Sequence, residues 1–258
     1  AEPDFEEISE VCIDVFFNKN PGKVRPWTAF QLAQLKSQQY SDLKGRRFLF
    51  GGNYDMFVAR RVVRDDGNTN NKVRLKRSKR TRVLPPITGS DKIFHSDCLK
   101  KGSTYARGEI LGFVEVSERR FPLQLPNSNR NGIDRSKRPL LANLCVQAKA
   151  RKSGLGGALL KACEDTVARW KPAYQEMVLQ VEDDNSAAME FYKKRGYSVS
   201  YADPACRRID TTGLFLRRQR VTKYCLHKEF GSRKKKDTGR SIFQPLIDAM
   251  TASRKNES

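Results

Sequence analysis

Arg151-Lys152-Ser153-Gly154-Leu155-Gly156-Gly157 is the stretch whose reading decides the fold. It follows Pro139-Leu140-Leu141-Ala142-Asn143-Leu144-Cys145-Val146, a run that predicts a strand, and it opens Ala158–Trp170, which predicts a helix. A glycine-rich turn between strand and helix turns backbone N–H groups toward one point, at the positive end of the helix dipole. That arrangement is a receptor for a pyrophosphate, so the stretch points to a phosphorylated cofactor.

The glycine spacing narrows the choice. Gly154, Gly156 and Gly157 form GxGG, not the GxGxxG of a dinucleotide fold, and no acidic residue stands at the ribose position of such a fold. The Gly-Lys-Ser/Thr ending of a P-loop is missing too. What fits is Arg/Gln-x-x-Gly-x-Gly/Ala, which a plain strand-to-helix turn would also satisfy.

Working outward, Ile8, Val11, Cys12, Val15 and Phe16 have the spacing of an amphipathic helix, broken by Pro21, Gly22 and Pro26. Thr28 can cap a second helix through about Leu43, with Leu32 and Leu35 among its apolar positions. Met56–Val63 predicts a strand and Asp65-Asp66-Gly67-Asn68 a turn. Ile110–Val116 predicts a further strand, with order resuming at Gly108, and Pro122–Lys137 a loop. In the helix after the glycines, Leu155, Leu159, Ala162, Cys163, Thr166 and Trp170 share one face. Met177–Val181 is a strand, Asn185 or Ser186 can cap a helix over Ala187–Lys194, and Gly196 stands where a helix-ending glycine belongs. Tyr197–Tyr201 and Val221–Phe230 complete the strands. Alternating strands and helices in the second half indicate an α/β fold.

Residues 64–107 read as an insertion. Within it, Lys72–Arg82 holds seven basic residues and no acidic one. This run can be a solvated loop, a docking patch for nucleic acid or an acidic protein, or a nuclear localisation signal; it lacks the interleaved aromatics of single-strand binding. Residues 231–258 read as a basic, flexible tail with one apolar cluster, Ile242, Phe243, Leu246, Ile247 and Met250.

The net charge of +21 over 258 residues favours polyanionic partners without choosing among them. The six cysteines are scattered, and His95-x-x-Cys98 is the one close pair of metal-capable residues. That predicts reduced, packed cysteines and no metal. No apolar run approaches the ~20 residues that cross a bilayer as a helix. The first residue is Ala1, compatible with a removed targeting peptide.

The downstream pattern gives the glycine stretch its meaning. Leu179-x-Val181-x-x-x-Asn185-x-x-Ala188-x-x-Phe191-Tyr192-x-x-x-Gly196-Tyr197 follows downstream of the helix that the glycines open. Over Leu140–Tyr197 the sequence resembles the GNAT acyl-CoA N-acyltransferase superfamily. By order of elements the resemblance extends from Ile8 to Phe230, outside the insertion and the tail. It implies one GNAT domain over about residues 1–230, with a central mixed sheet flanked by helices and splayed between its fourth and fifth strands. Asn143-Leu144-Cys145-Val146 resembles the end of the fourth strand.

The resemblance also implies acetyl-CoA as cosubstrate and assigns roles. Arg151, Lys152, Ser153, Gly154, Leu155, Gly156 and Gly157 hold the pyrophosphate; Leu144, Cys145 and Val146 pair with the pantetheine arm; Asn185 contacts the cofactor. The Val146 N–H supports the oxyanion as an amine attacks the thioester, and Tyr192 is the proton donor to the leaving thiolate. Cys145 reads as a small strand residue, since direct transfer needs no covalent intermediate. An acceptor lysine of pKa ~10.4 is only about 0.04% neutral at pH 7, and an α-amine near ~8 about 10%. A base is therefore needed, and Glu115 and Glu182 are the carboxylates placed for it.

Asp203-Pro204, Arg217-Arg218-x-Arg220-Val221, Lys228-x-Phe230 and Val114-Glu115-Val116-Ser117 resemble the plastid GNAT branch of plants and algae. That implies acetylation of lysines and N-terminal α-amines of proteins in the chloroplast; cytoplasm and nucleus are the alternatives. The other readings are a small-molecule acetyltransferase acting on a polyamine or arylamine, and a GNAT-fold protein that binds nucleic acid or a ribosome.

Overall fold

The structure, a computed structural model, describes residues 4–17, 26–49, 52–64, 87–88, 104–121 and 136–230. The basic run Lys72–Arg82, the loop 122–135 and the tail 231–258 lie outside the described residues. Two helices come first, α1 (Phe5–Phe16) and α2 (Pro26–Leu49), then β1 (Tyr54–Arg64), the two-residue β2 (Ile87–Thr88), β3 (Thr104–Arg120) and β4 (Lys137–Val146). The second half alternates: α3 (Leu155–Val167), β5 (Glu176–Glu182), α4 (Ser186–Lys193), β6 (Ser198–Asp210) and β7 (Arg217–Glu229).

The strands form one mixed sheet in the order β1-β3-β4-β5-β7-β6, with β2 paired to β3 off this path. Among the described residues only the β4–β5 ladder is parallel. It joins strands separated in sequence by α3, as a crossover requires. Successive residues of a strand face opposite sides, and β3 makes the layering plain. Phe113 packs with Phe5, Ile8, Val11, Cys12 and Leu43 of the first two helices. Its neighbours Val114 and Val116 pack with Leu159, Leu160, Cys163 and Val167 of α3 and with Tyr192 of α4. The sheet is therefore sandwiched, α1 and α2 on one face and α3 and α4 on the other.

Several boundaries differ from the sequence expectation. Helix α2 starts at Pro26, two residues before Thr28, because proline at a first helical position loses no hydrogen bond. It continues past Leu43 to Leu49, since Leu43 is fully buried and Arg46 is anchored to the sheet. In α1 the buried face holds Phe5, Ile8, Ser9, Val11, Cys12 and Ile13, while Phe16 is exposed. Strand β3 begins at Thr104, not after Gly108. Gly108 lies within it because a Cβ there would sit 2.7 Å from the Arg61 carbonyl oxygen. Helix α3 begins at Leu155 and stops at Val167; Trp170 lies beyond it, still buried, with Nε1 donating to Asp55 Oδ2 at 2.6 Å. The last two strands form one long hairpin, longer at both strands than expected. Pro204 is tolerated within β6 because it sits at a register irregularity between Asp203 and Cys206, where a missing N–H breaks no ladder bond.

Candidate active site

The site is built around the end of β4. Asn143 adopts a left-handed conformation at φ 54°, and the β3–β4 register shifts between Phe113 and Glu115. Phe113 faces Cys145 but Glu115 faces Ala142, so β4 carries one more residue than β3 over this interval. That is a bulge. Past it, Gln147 N–H donates to the Leu111 carbonyl at 2.8 Å. The alternation of an antiparallel ladder then turns the Val146 N–H away from β3, toward the β5 side. On that side the ladder has two registered pairs, Leu140 with Val178 and Leu141 with Leu179, both before the bulge.

From Val146 the chain passes through a single 3-10 turn, Ala148–Ala150, into the glycine stretch. Ser153 Oγ donates to the Ala150 carbonyl at 2.7 Å, and Arg151 Nε donates back to the Val146 carbonyl at 3.2 Å. Lys152 and Gly154 have positive φ, 62° and 85°, which turn the backbone sharply into α3. Gly154 is the N-cap of α3 and provides no side-chain acceptor. The first bond of the helix runs from Ala158 N–H to the Gly154 carbonyl at 3.1 Å. The N–H groups of Leu155, Gly156 and Gly157 precede it and are the orphan donors of a helix start. With Arg151, Lys152, Ser153 and Gly154 exposed, the positive end of α3 is open to solvent and flanked by two cationic side chains.

Helix α4 closes on this loop. Asn185 is its N-cap, the side chain accepting from Ala188 N–H at 3.1 Å, which decides between Asn185 and Ser186. At the other end, a Cβ on Gly156 would meet the Phe191 ring at 3.5 Å and one on Gly157 the Arg195 guanidinium at 3.0 Å. The Arg195 guanidinium covers the Phe191 ring 3.7 Å from its centroid, and its Nη1 donates to the Phe191 carbonyl at 2.9 Å. Gly157 thus leaves room for the Arg195 guanidinium, while a Cβ at Gly156 would make only ordinary contact with the Phe191 ring. Gly196, at φ 87°, ends that turn as expected.

Tyr192 lies in this turn, 7% exposed, its ring edge-on to Phe191 and Tyr197. Burial, and secondarily the neighbouring Cys163, push its hydroxyl well above the ordinary value of 10. It stays protonated at neutral pH, which a proton donor requires. Leu144 and Val146 pack against the α3–α4 core, and Cys145 turns to the other face, its Sγ 3.7 Å from Cys12 Sγ.

Glu115 is 1% exposed. Tyr54 Oη donates to its Oε2 at 2.6 Å, Asn143 Nδ2 to its Oε1 at 2.7 Å, and Arg46 Nη1 forms an ion pair with Oε1. Glu182, at the end of β5, pairs with Arg208 at 3.2 Å and Lys223 at 3.9 Å. Sequence reading did not single out Arg46, Tyr54 or the role of Asn143. Arg46 and Tyr54 lie some 70 and 60 positions from Glu115, and no local pattern links them. Asn143 carried one usable signal: asparagine inside an apolar strand is among the few residues at ease with positive φ. The described residues include no group of three side chains able to hold a metal.

Residues 89–197, fewer than half of the chain, match the model of the acetyltransferase (GNAT) family. No curated protein matches the chain. Among solved structures, the chain is similar to Arabidopsis thaliana NAA60 in complex with acetyl-CoA at 15% identity, over 88% of this chain and 93% of that one, with a TM-score of 0.46. It is similar to the PaiA N-acetyltransferase of Thermoplasma acidophilum in complex with coenzyme A at 14% identity, over 89% and 95%, TM-score 0.45. It is also similar to Chaetomium thermophilum Naa20 in complex with a bisubstrate analogue at 20% identity, over 52% and 67%, TM-score 0.40.

Proposed function

We propose that this protein is an acetyl-CoA-dependent N-acetyltransferase acting on primary amines of proteins. The observation that carries the reading is the uncapped start of α3. Free N–H groups at Leu155–Gly157, two exposed cationic side chains and a helix dipole converge where the GNAT family match and the Arg151–Gly157 motif coincide. Acetyl-CoA brings an activated acyl thioester with a pyrophosphate handle, and the donors at Lys152–Gly157 fit that handle. Divergence of β4 from β5 past Leu141 would leave the Val146 N–H to receive the developing oxyanion. Tyr192, buried and protonated, would return a proton to the leaving sulfur, and Asn185 would contact the cofactor at the far end of α4.

The acceptor amine must lose a proton before or during attack. The plastid-branch resemblance favours protein lysines and N-terminal α-amines, and a plastid location with them. The Naa20 similarity concerns a protein crystallised with a bisubstrate analogue.

Thermal-shift titration with acetyl-CoA, followed by acetylation of peptides bearing free α-amines or lysines, tests the reading. A melting point that rises with acetyl-CoA concentration, together with CoA release on peptide addition, is expected. An unchanged melting point at millimolar acetyl-CoA would end it. Turnover confined to free polyamines or arylamines would move the substrate to small molecules.

A further inference from the structure

We infer that Glu115 is a positioning residue: with Arg46 and Tyr54 it holds the Asn143 side chain, and through it the bulge that aims Leu144–Val146. The catalytic consequence rests on the acetyltransferase reading; the structural consequence does not.

The bulge needs a holder. A bulge leaves one residue outside the ladder, so contacts other than ladder hydrogen bonds must fix it, above all where a non-glycine residue there takes the left-handed region. Asn143 is such a residue, and its amide donates to Glu115 Oε1 at 2.7 Å from directly across the register irregularity. The rest of the cluster holds Glu115 in turn. Arg46 arrives from α2 and Tyr54 from β1, so three separate elements converge on one carboxylate of β3. At 1% exposure that carboxylate would be costly without compensation, and Arg46 supplies the counter-charge.

The same contacts weigh against Glu115 as a base. Both of its oxygens already accept from donors within the protein. A general base must reach the proton it removes, directly or through water, and Glu115 is walled off by the groups it binds.

The bulge also decides which way β4 faces. With it, Leu144 and Val146 pack on the α3–α4 side and Cys145 on the α1 side. Losing the extra residue would slip the register by one and reverse these faces. It would also redirect the Val146 N–H, the group assigned to the oxyanion.

Four variants decide the matter. Glu115→Gln keeps an oxygen for Arg46 and Asn143, and an amide N–H that the Tyr54 hydroxyl can accept. Glu115→Ala removes every partner. Asn143→Gly keeps the positive φ, removes the amide and adds backbone freedom, whereas Tyr54→Phe leaves the β4 backbone unchanged and removes the hydroxyl bond to Glu115. Positioning predicts that Glu115→Gln stays within about threefold of the wild-type kcat with the rising limb of the pH profile unmoved. It predicts that Glu115→Ala and Asn143→Gly lose about ten- to a hundredfold in kcat, with KM for the acceptor little changed. Amide hydrogen exchange at Leu144–Val146, measured without substrate, should accelerate about tenfold or more in Asn143→Gly.

If Glu115→Gln is as inactive as Glu115→Ala and the rising limb disappears, Glu115 is the base and the inference falls. Wild-type exchange at Leu144–Val146 in Asn143→Gly would also overturn it. Should Glu115→Ala fail to fold, Asn143→Gly and Tyr54→Phe carry the test, the latter with a smaller acceleration. Should acetyl-CoA not bind the wild type, the acetyltransferase reading fails while the exchange data still decide whether Glu115 and Asn143 hold β4.

Discussion

The Arg195 guanidinium lies over the Phe191 ring, 3.7 Å from its centroid, and the pair seals the C-terminal turn of α4 against the glycines that start α3. Those contacts tie the two halves of the sequence motif into one structure. Phe191→Ala should cost about 2 kcal/mol, less than a fully buried phenylalanine because the ring is only partly covered. It should also raise KM for acetyl-CoA, because the loop loses its backing. Urea denaturation and acetyl-CoA titration check the two effects; a variant weaker in stability alone would separate the packing from the cofactor site.

Gly154 and Gly112 need glycine for different reasons. Gly154 has open space around it but a φ of 85°. Gly154→Asn should therefore be tolerated and Gly154→Val should cost about 1–2 kcal/mol more, from backbone strain alone. Comparative thermal melts of the two variants read this difference directly.

At Gly112 the limit is steric. A Cβ there would stand 2.9 Å from the Cys145 carbonyl oxygen and 3.1 Å from Leu159 Cδ1. Gly112→Ala should force β3 from β4 opposite the site, costing about 1–3 kcal/mol. Its kcat should fall by more than its stability loss explains. Full activity in a folded Gly112→Ala protein would show that β4 tolerates displacement.

Tyr192→Phe should fold with near wild-type stability, since the ring packing remains, and lose at least about tenfold in kcat. Single-turnover measurement with acetyl-CoA isolates the chemical step.

The buried phenols also set an alkaline limit. Burial first raises Tyr54, Tyr192 and Tyr197 above their ordinary value of 10, reinforced by Glu115 at Tyr54, Cys163 at Tyr192 and Glu164 at Tyr197. A group whose folded pKa is raised binds more protons folded than unfolded once pH passes the unfolded value. Its contribution is thus complete below about pH 10 and is lost as pH rises further. Urea midpoints should be level with respect to these groups from pH 7 to 9.5 and fall above pH 10. Tyr197→Phe should blunt the fall.

The sequence by itself determined most of the elements and the glycine turn between β4 and α3. Hydrophobic periodicity and glycine placement are local, so α1, the order of strands and helices in the second half, the turn at Gly154 and a cap at Asn185 or Ser186 were legible without coordinates. Element ends were less so. Strand β3 starts as early as Thr104 because Thr104 pairs with Thr88 of β2, and β6 runs on to Asp210 because it pairs with Arg217 across the hairpin; neither pairing leaves a hydrophobic period to read.

Only the tertiary structure decided what surrounds Glu115. A carboxylate on a strand next to the binding loop reads as a base when nothing is known of its neighbours. Folding brings Arg46, Tyr54 and Asn143 to it from three other elements. The reason is geometric: a side chain's chemistry is set by what lies within a few ångströms, and the chain closes those distances across dozens of residues.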